Sequence, residues 1–394
     1  MMDKHIIRIT SYLSTIAIIT LGILYYVLHH APVNALSSST DLTTYFSYSP
    51  GEIQALEQLN SEKVMTEAEV DQWTQIVFEL VKENRSKDDA TRLYAYFFAA
   101  QRDAAALSYQ IKKKLSGSLS TVSQKTLCLL LPNTCASLHA SEKTDAYSLK
   151  MAEIVTDKIR KRLEAEKKAM DEVTDSKVPQ EWEKNKAYFG QKIGYQTPWF
   201  MKTSSQFRLP TPQSYDTKDI KNQKEELKTI LSSVTKEQIE IANKWSAGSG
   251  TILTSGQWLN LANQYMAKHK TPLPQSILIR SILAMGVADA TIACFDTKFT
   301  YWKQRPEMIF PDIKPNIKTP EEPSYPSGHA TLSMAAAIIM DHYFPENLSV
   351  WNETAAEIAH SRLWGGIHFP VDEHDGVELG RKIGNWITKK LENQ

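Results

Sequence analysis

The chain has 394 residues, and its 45 Lys+Arg balance 45 Asp+Glu, so one large domain or several smaller ones can each bury a sizeable core. A composition 42% hydrophobic and 23% charged excludes wholesale disorder. A pI near 7.2 leaves no basic field for a nucleic-acid backbone, and a mean hydropathy of −0.36 argues against a polytopic membrane protein.

The first element is Ser11 to Leu28, an uncharged run preceded by Lys4 and Arg8 and followed by His29 and His30. It sits between the length of a signal h-region and that of a membrane span. Val33-Asn34-Ala35 offers a signal-peptidase site, so residues 1–35 read either as a cleaved signal or as a retained anchor. The cations on its N-terminal side keep that end cytoplasmic, so both readings put the rest of the chain outside the cytoplasm, periplasmic or secreted.

Helical periodicity then dominates. It predicts helices over about 61–83, 87–113, 147–173, 217–232, 235–247, 255–268, 275–295, 330–343, 349–362 and 374–391, with no alternating strand pattern. The charged run 147–173 reads as a solvated helix face. Cys128 and Cys135 flank a Pro132-Asn133 turn; they are equally readable as a local disulfide and as two buried thiols, while Cys294 reads as core. Residues 174–215, with Pro179, Pro198, Pro210 and Pro212, form an irregular stretch expected to wrap the bundle. Six prolines across 306–326 exclude a helix there. The apolar runs Ile277–Cys294 and Leu332–Met340 read as buried helices of a soluble bundle, the first interrupted by Arg280 and Asp289 and the second too short to span.

Three short segments carry the chemistry. In the first, Lys298 and Arg305 are two helical turns apart, so the spacing predicts both on one helix face before Pro306. With Arg362 they make three cations suited to a tetrahedral dianion. In the second, Ser327-Gly328-His329 opens an alanine-rich helix whose free amides and positive dipole end favour an anion. Gly328 permits close backbone approach, and the Ser327 hydroxyl can cap the helix or donate to the ligand. In the third, His368 and Asp372 have i, i+4 spacing. A carboxylate there can hold the ring Nδ1–H and aim Nε2 at the anion, as a nucleophile requires. His329 is the candidate general acid. No carboxylate cluster for Mg²⁺ accompanies these residues, so no metal is expected. The string Asp372, His374, Asp375 reads better as helix-start groups than as metal ligands.

Lys298, Arg305, Pro306, Pro326, Ser327, Gly328, His329, Ser361, Arg362, His368 and Asp372 together resemble the signature motifs of one superfamily. It joins type 2 phosphatidic acid phosphatases, bacterial class A acid phosphatases and vanadium-dependent haloperoxidases. Trp199 through Pro212, the approach to Trp258, Ala288-Asp289-Ala290 and the ending HFPVDEHDGVELGRKIG are similar to its soluble, haloperoxidase-like bacterial branch. The resemblance covers about 195–391. It implies an all-α helical bundle, with 36–194 as its N-terminal helical part and 195–394 as the catalytic region.

The resemblance further implies a phosphatase acting on phosphate monoesters of lipids or small molecules. His368 would form a phosphohistidine, Asp372 orient it and His329 serve as general acid. Lys298, Arg305, Ser327, Gly328 and Arg362 would hold the phosphoryl oxygens, with no cofactor. The same cradle suits vanadate, with His368 as axial ligand, so halide oxidation by peroxide is the alternative. Three departures favour the phosphatase. Lys303-Gln304 displace Trp302 from the Arg-Pro pair, Glu322 stands where an aromatic or His would face the halide, and position 336 is Ala. A carboxylate at 322 repels bromide or chloride. Nothing in the sequence selects a substrate or an oligomeric state.

Overall fold

The computed structural model describes residues 42–394 except 85–86, 139–143, 173–177, 180–181, 183–189, 213–214, 216–218, 249 and 394. The apolar run at 11–28 and the cleavage site at 33–35 lie outside the described residues. In chain order the α-helices are α1 (Pro50–Glu57), α2 (Glu67–Asn84), α3 (Lys87–Lys112), α4 (Leu119–Leu130), α5 (Ala146–Asp171), α6 (Asp219–Ser233), α7 (Lys236–Lys244), α8 (Leu253–Lys268), α9 (Leu273–Tyr301), α10 (Pro306–Ile309), α11 (Gly328–Tyr343), α12 (Leu348–Trp364) and α13 (Pro370–Glu392). Short 3₁₀ turns at Pro132–Ser137, Gln191–Tyr195 and Pro345–Asn347 complete them, and no strand occurs among the described residues. The all-α expectation holds.

Side-chain caps set many of the boundaries. The helix expected from residue 61 begins at Glu67 because Thr66 and Glu69 reciprocally cap each other's backbone N–H (3.2 and 3.1 Å). Three helices, α1, α4 and α10, were not anticipated. α1 is opened by Ser49, whose side chain accepts from Glu52 N, with Pro50 behind it; α4 is opened by Ser118. The proline-rich 306–326 segment is not wholly helix-free. Pro306 occupies the first position of α10, where its missing N–H costs nothing.

The central element is α9, buried from Ile277 to Phe299 apart from Leu278. It is long and apolar enough to cross a membrane, yet 94% of that window is buried inside the protein. α3, α8, α11 and α13 pack around it. The charged α5 turns Met151, Val155 and Ile159 inward and leaves most of its charges outside, as expected of a solvated face. Cys128 and Cys135 form a disulfide, and Cys294 is buried in the core.

Buried carboxylates fasten irregular chain to this core. Asp289 on α9 accepts from the N–H groups of Trp199, Phe200 and Met201 at 2.6, 2.8 and 2.8 Å. Burial pushes its carboxyl up to about 6, against the lowering effect of those same donors. Asp296, two turns further along, takes both ends of the Arg208 fork (2.6 and 2.7 Å). The 199–208 stretch is thus laid along α9, as its aromatics and prolines suggested.

α11 and α13 approach closely because α13 shows three glycines to its neighbour. A Cβ on Gly376 would stand 2.8 Å from Ser327 O; on Gly384 it would stand 2.8 Å from Ile338 Cβ; on Gly380 it would strike Thr331 O. The i, i+4, i+8 spacing places all three on one helix face, so side-chain absence there fixes the separation of the two helices that carry Ser327 and Asp372.

Candidate active site

The structure gathers the predicted site residues at one place, by a route that differs in detail from the sequence reading. Lys298 and Arg305 do not share a helix face. α9 ends at Tyr301 because Trp302 turns left-handed (φ 51°) and returns its N–H to Lys298 O at 2.8 Å. Arg305 is then extended (φ −71°, ψ 156°), as a residue before proline must be. The two cations still converge, because the chain folds back after α9.

Each cation is 1% exposed and is tied to backbone carbonyls. Lys298 Nζ donates to Ser324 O at 3.1 Å and to Pro323 O. Burial, then the Arg305 charge, lowers its pKa to about 8. Arg305 donates through Nε to Glu322 O (2.9 Å) and through Nη1 to Ile367 O (2.9 Å), and Nη1 also lies 2.8 Å from His368 Nε2. Arg362 on α12 donates to Ser361 Oγ (2.9 Å) and to Ala242 O (2.5 Å). Burial and then Arg305 lower its pKa to about 9.

His368 precedes α13 and Asp372 lies in its first turn, so their contact is not between two positions of one helix face. Asp372 reaches back instead: Oδ2 accepts from Phe369 N (2.9 Å), capping the helix, and lies 3.1 Å from His368 Nδ1. A guanidinium nitrogen can only donate, so His368 Nε2 carries the lone pair and Nδ1 the proton. Burial, then Arg305, Lys298 and Arg362 in turn, holds the imidazole well below its usual pKa, a neutral ring in a nest of cations. Burial raises the Asp372 carboxyl.

Ser327 caps α11, its Oγ accepting from Ala330 N at 3.4 Å, and its N–H is bound to Asp372 O at 2.8 Å. Gly328 is the first residue of α11; a Cβ there would meet only Cys294 Sγ, at 3.9 Å. His329 Nε2 lies 2.8 Å from Trp245 O, so Nε2 bears the proton and, in the neutral ring, Nδ1 carries the lone pair. Burial, then Arg362, holds this imidazole too well below its usual value. His374 and Asp375 pair with each other at 2.9 Å away from this centre, His374 being 82% exposed, which separates them from the buried Asp372.

Several participants were not foreseen. Ser324 Oγ donates to Asp372 Oδ2 at 2.6 Å, and Tyr215 OH donates to Asp372 Oδ1 at 2.9 Å. Asp372 thus has both oxygens bound. Tyr215 packs edge-on against Phe369 (ring centroids 5.5 Å apart). A single tyrosine in a proline-rich stretch carries no sequence signal. Ser324 lies three residues before Ser327, just ahead of the same motif segment. Ala242 and Trp245 contribute only carbonyls, which no side-chain pattern marks. Glu322 ion-pairs with Arg305 Nη2 at 3.3 Å.

The arrangement is a buried cluster of cations around a neutral imidazole. Three cations face two carboxylates, Asp372 and Glu322, and Arg305 Nη2, though ion-paired, makes no hydrogen bond among the described residues. Residual buried positive charge of this kind is stable only against an anion.

Residues 277–394 match the PAP2 superfamily. Decaprenylphosphoryl-5-phosphoribose phosphatase of Mycobacterium tuberculosis, in strains CDC 1551 and H37Rv alike, is 39% identical over 82 residues, 21% of this chain and 44% of that protein. The chain thus spans less than half the length of these relatives. A bacterial vanadium-dependent iodoperoxidase superposes with a TM-score of 0.62 at 19% identity, covering 84% of this chain and 98% of that one. A bacterial vanadium-dependent chloroperoxidase in its apo form gives 0.58 at 12% identity, covering 80% and 95%. Residues 277–394 are thus similar to the PAP2 superfamily, and the fold of the chain is similar to that of the vanadium haloperoxidases.

Proposed function

We propose that the chain is a phosphatase that hydrolyses phosphate monoesters through a phosphohistidine on His368. The observation that carries this reading is the neutral His368 ring, its Nε2 lone pair turned toward buried Arg305 and its Nδ1–H toward Asp372. The superfamily match and the mycobacterial phosphatase support the reaction class.

The phosphoryl oxygens would take over donors of Arg305, Lys298 and Arg362, together with Ser327 Oγ and the Gly328 amide. Arg305 Nη1 then leaves Nε2 for an oxygen, and the freed lone pair attacks phosphorus. As the P–N bond forms, the ring becomes cationic and Asp372 stabilises it through Nδ1–H. His329 gives a proton from Nδ1 to the leaving oxygen as the P–O bond breaks. Alone, the buried His329 ring is neutral. The incoming dianion is what favours its imidazolium, and the Trp245 carbonyl keeps Nε2–H fixed throughout. Water then attacks the phosphohistidine, His329 takes its proton, and phosphate and neutral His368 are regenerated. The protein's own cations supply the charge neutralisation that this transfer needs.

The same donor set fits vanadate, which would supply Lewis-acid activation of peroxide, with His368 as its ligand. Structural likeness to the peroxidases is a likeness of fold, and Glu322 beside Arg305 weighs against halide. The disulfide supports an extracytoplasmic setting, in keeping with the apolar run at 11–28. The substrate is a lipid or small-molecule monoester; the name of the mycobacterial relative supports the lipid-linked end of that range.

The test is trapping with a ³²P-labelled aryl phosphate, quenched in alkaline detergent. Full-length protein should yield an acid-labile, base-stable phosphoenzyme, and His368→Ala none. Turnover by His368→Ala at the native rate would overturn the assignment.

A further inference from the structure

Two carboxylates face the cationic cradle, and only Asp372 has a part in the proposed reaction. Glu322 is the other. Its side chain is 13% exposed and its Oε1 pairs with Arg305 Nη2 at 3.3 Å, on the same guanidinium that holds His368 Nε2. Its second oxygen is buried with no hydrogen-bond partner among the described residues, so no other donor draws its charge away from Arg305. Lys298 and Cys294 feel that charge as well, which puts Glu322 beside the cradle as a whole. The backbone leaves it little choice of place: the Glu322 carbonyl is itself held by Arg305 Nε, and the next two carbonyls, of Pro323 and Ser324, are held by Lys298.

An anion entering this site therefore meets a resident one. Bidentate capture of a phosphoryl oxygen by Arg305 requires Nη2, the atom that Glu322 engages. We infer that Glu322 is an internal counter-anion that competes with bound phosphate for Arg305, holding product affinity low so that phosphate leaves after each turnover. This rests on the phosphatase reading and adds to it a specificity-determining residue that contacts neither histidine. A ligand with several acceptor oxygens can make up the loss on Lys298, Arg362 and the α11 amides. A halide, with a single centre and no such breadth, cannot, so the same carboxylate weights the site toward oxyanions.

The experiment is titration of full-length protein with inorganic phosphate and with vanadate, by calorimetry and by competition against aryl phosphate hydrolysis. Glu322→Gln keeps the shape and removes the charge. It should bind both anions about tenfold more tightly or better, with a lower KM and a kcat that falls as phosphate release slows. Glu322→Asp keeps the charge and should stay near the native affinity. Should Glu322→Gln prove unstable, Glu322→Ala removes the same charge and should tighten both anions likewise. Charge-free variants that bind phosphate no tighter than the native chain, or Glu322→Asp tightening as much as they do, would overturn the role of Glu322 alone. A native chain that binds neither anion and cleaves no phosphate ester would overturn the phosphatase reading, and this inference with it.

Discussion

Arg305 Nη1 stands 2.8 Å from His368 Nε2, on the side of the ring opposite the Asp372 carboxylate. The imidazole is therefore fixed at both nitrogens, with one tautomer and one orientation. Asp372→Asn would keep an oxygen against Nδ1, because Phe369 N–H can only donate to that position, but would remove the negative charge that stabilises the ring as it becomes cationic. We expect kcat to fall roughly 10²–10⁴-fold while the variant stays folded. Steady-state kinetics beside a circular-dichroism melt would read both.

His329 should matter in proportion to how badly the leaving group needs a proton. His329→Gln is expected to slow an alkyl phosphate roughly 10²–10⁴-fold, and to slow a nitrophenyl ester, whose leaving group departs unprotonated, far less. A series of esters of graded leaving-group pKa gives the dependence. Equal losses across the series would remove His329 from the acid role.

Tyr215 and Ser324 are positioning residues for Asp372. Tyr215→Phe keeps the ring packing on Phe369 and removes only the hydroxyl donor. Loss of one hydrogen bond to a buried carboxylate is worth about 1.5–3 kcal/mol, so kcat should drop roughly tenfold or more with KM little changed. Without that donor Asp372 is more basic, and the acid limb of the rate profile should move to higher pH. A purely structural role for Tyr215 would leave that limb unmoved.

Lys298 gives the pH dependence on the alkaline side. Its pKa is lowered to about 8, by burial first and then by Arg305, so its charge is present below that pH and lost as pH rises through it. The free enzyme should therefore lose kcat/KM above about pH 8, the parameter that reports unliganded groups. Lys298→Met should abolish this limb along with most of the activity at lower pH.

The glycine contacts between α11 and α13 make a stability prediction. Gly380→Ala would drive a methyl into Thr331 O and to 2.9 Å from Met334 Cβ. Overpacking of this kind costs about 1–3 kcal/mol, visible as a lower Tm. Because α11 carries Ser327 and α13 carries Asp372, kcat should fall as well, although no catalytic group is altered.

That Lys298, Arg305, His329, Arg362, His368 and Asp372 lie together was legible because side-chain type marks them as candidates for one anion site. What spacing misjudged was the backbone between them. Seven residues from Lys298 to Arg305 suggested two helical turns, but Pro306 excludes helix at Arg305, and Trp302 breaks the chain three residues earlier. The disulfide could not be separated from two thiols by sequence, because what decides it is the turn at Pro132–Ser137 that follows α4. α1 and α4 were missed as short segments whose signal lies in their caps. Tyr215, Ala242 and Trp245 were invisible for a different reason: each acts through one atom at long sequence range, two of them through the main chain.

Those last three contacts bear on how the protein can be divided. The region that matches the PAP2 superfamily starts at residue 277. Yet Arg362 rests on Ala242, His329 on Trp245 and Asp372 on Tyr215, all upstream of it. A fragment cut at the family boundary would keep every reactive group and lose the three outside props that aim them. The smallest fragment that keeps the geometry of this site is therefore larger than the region that matches.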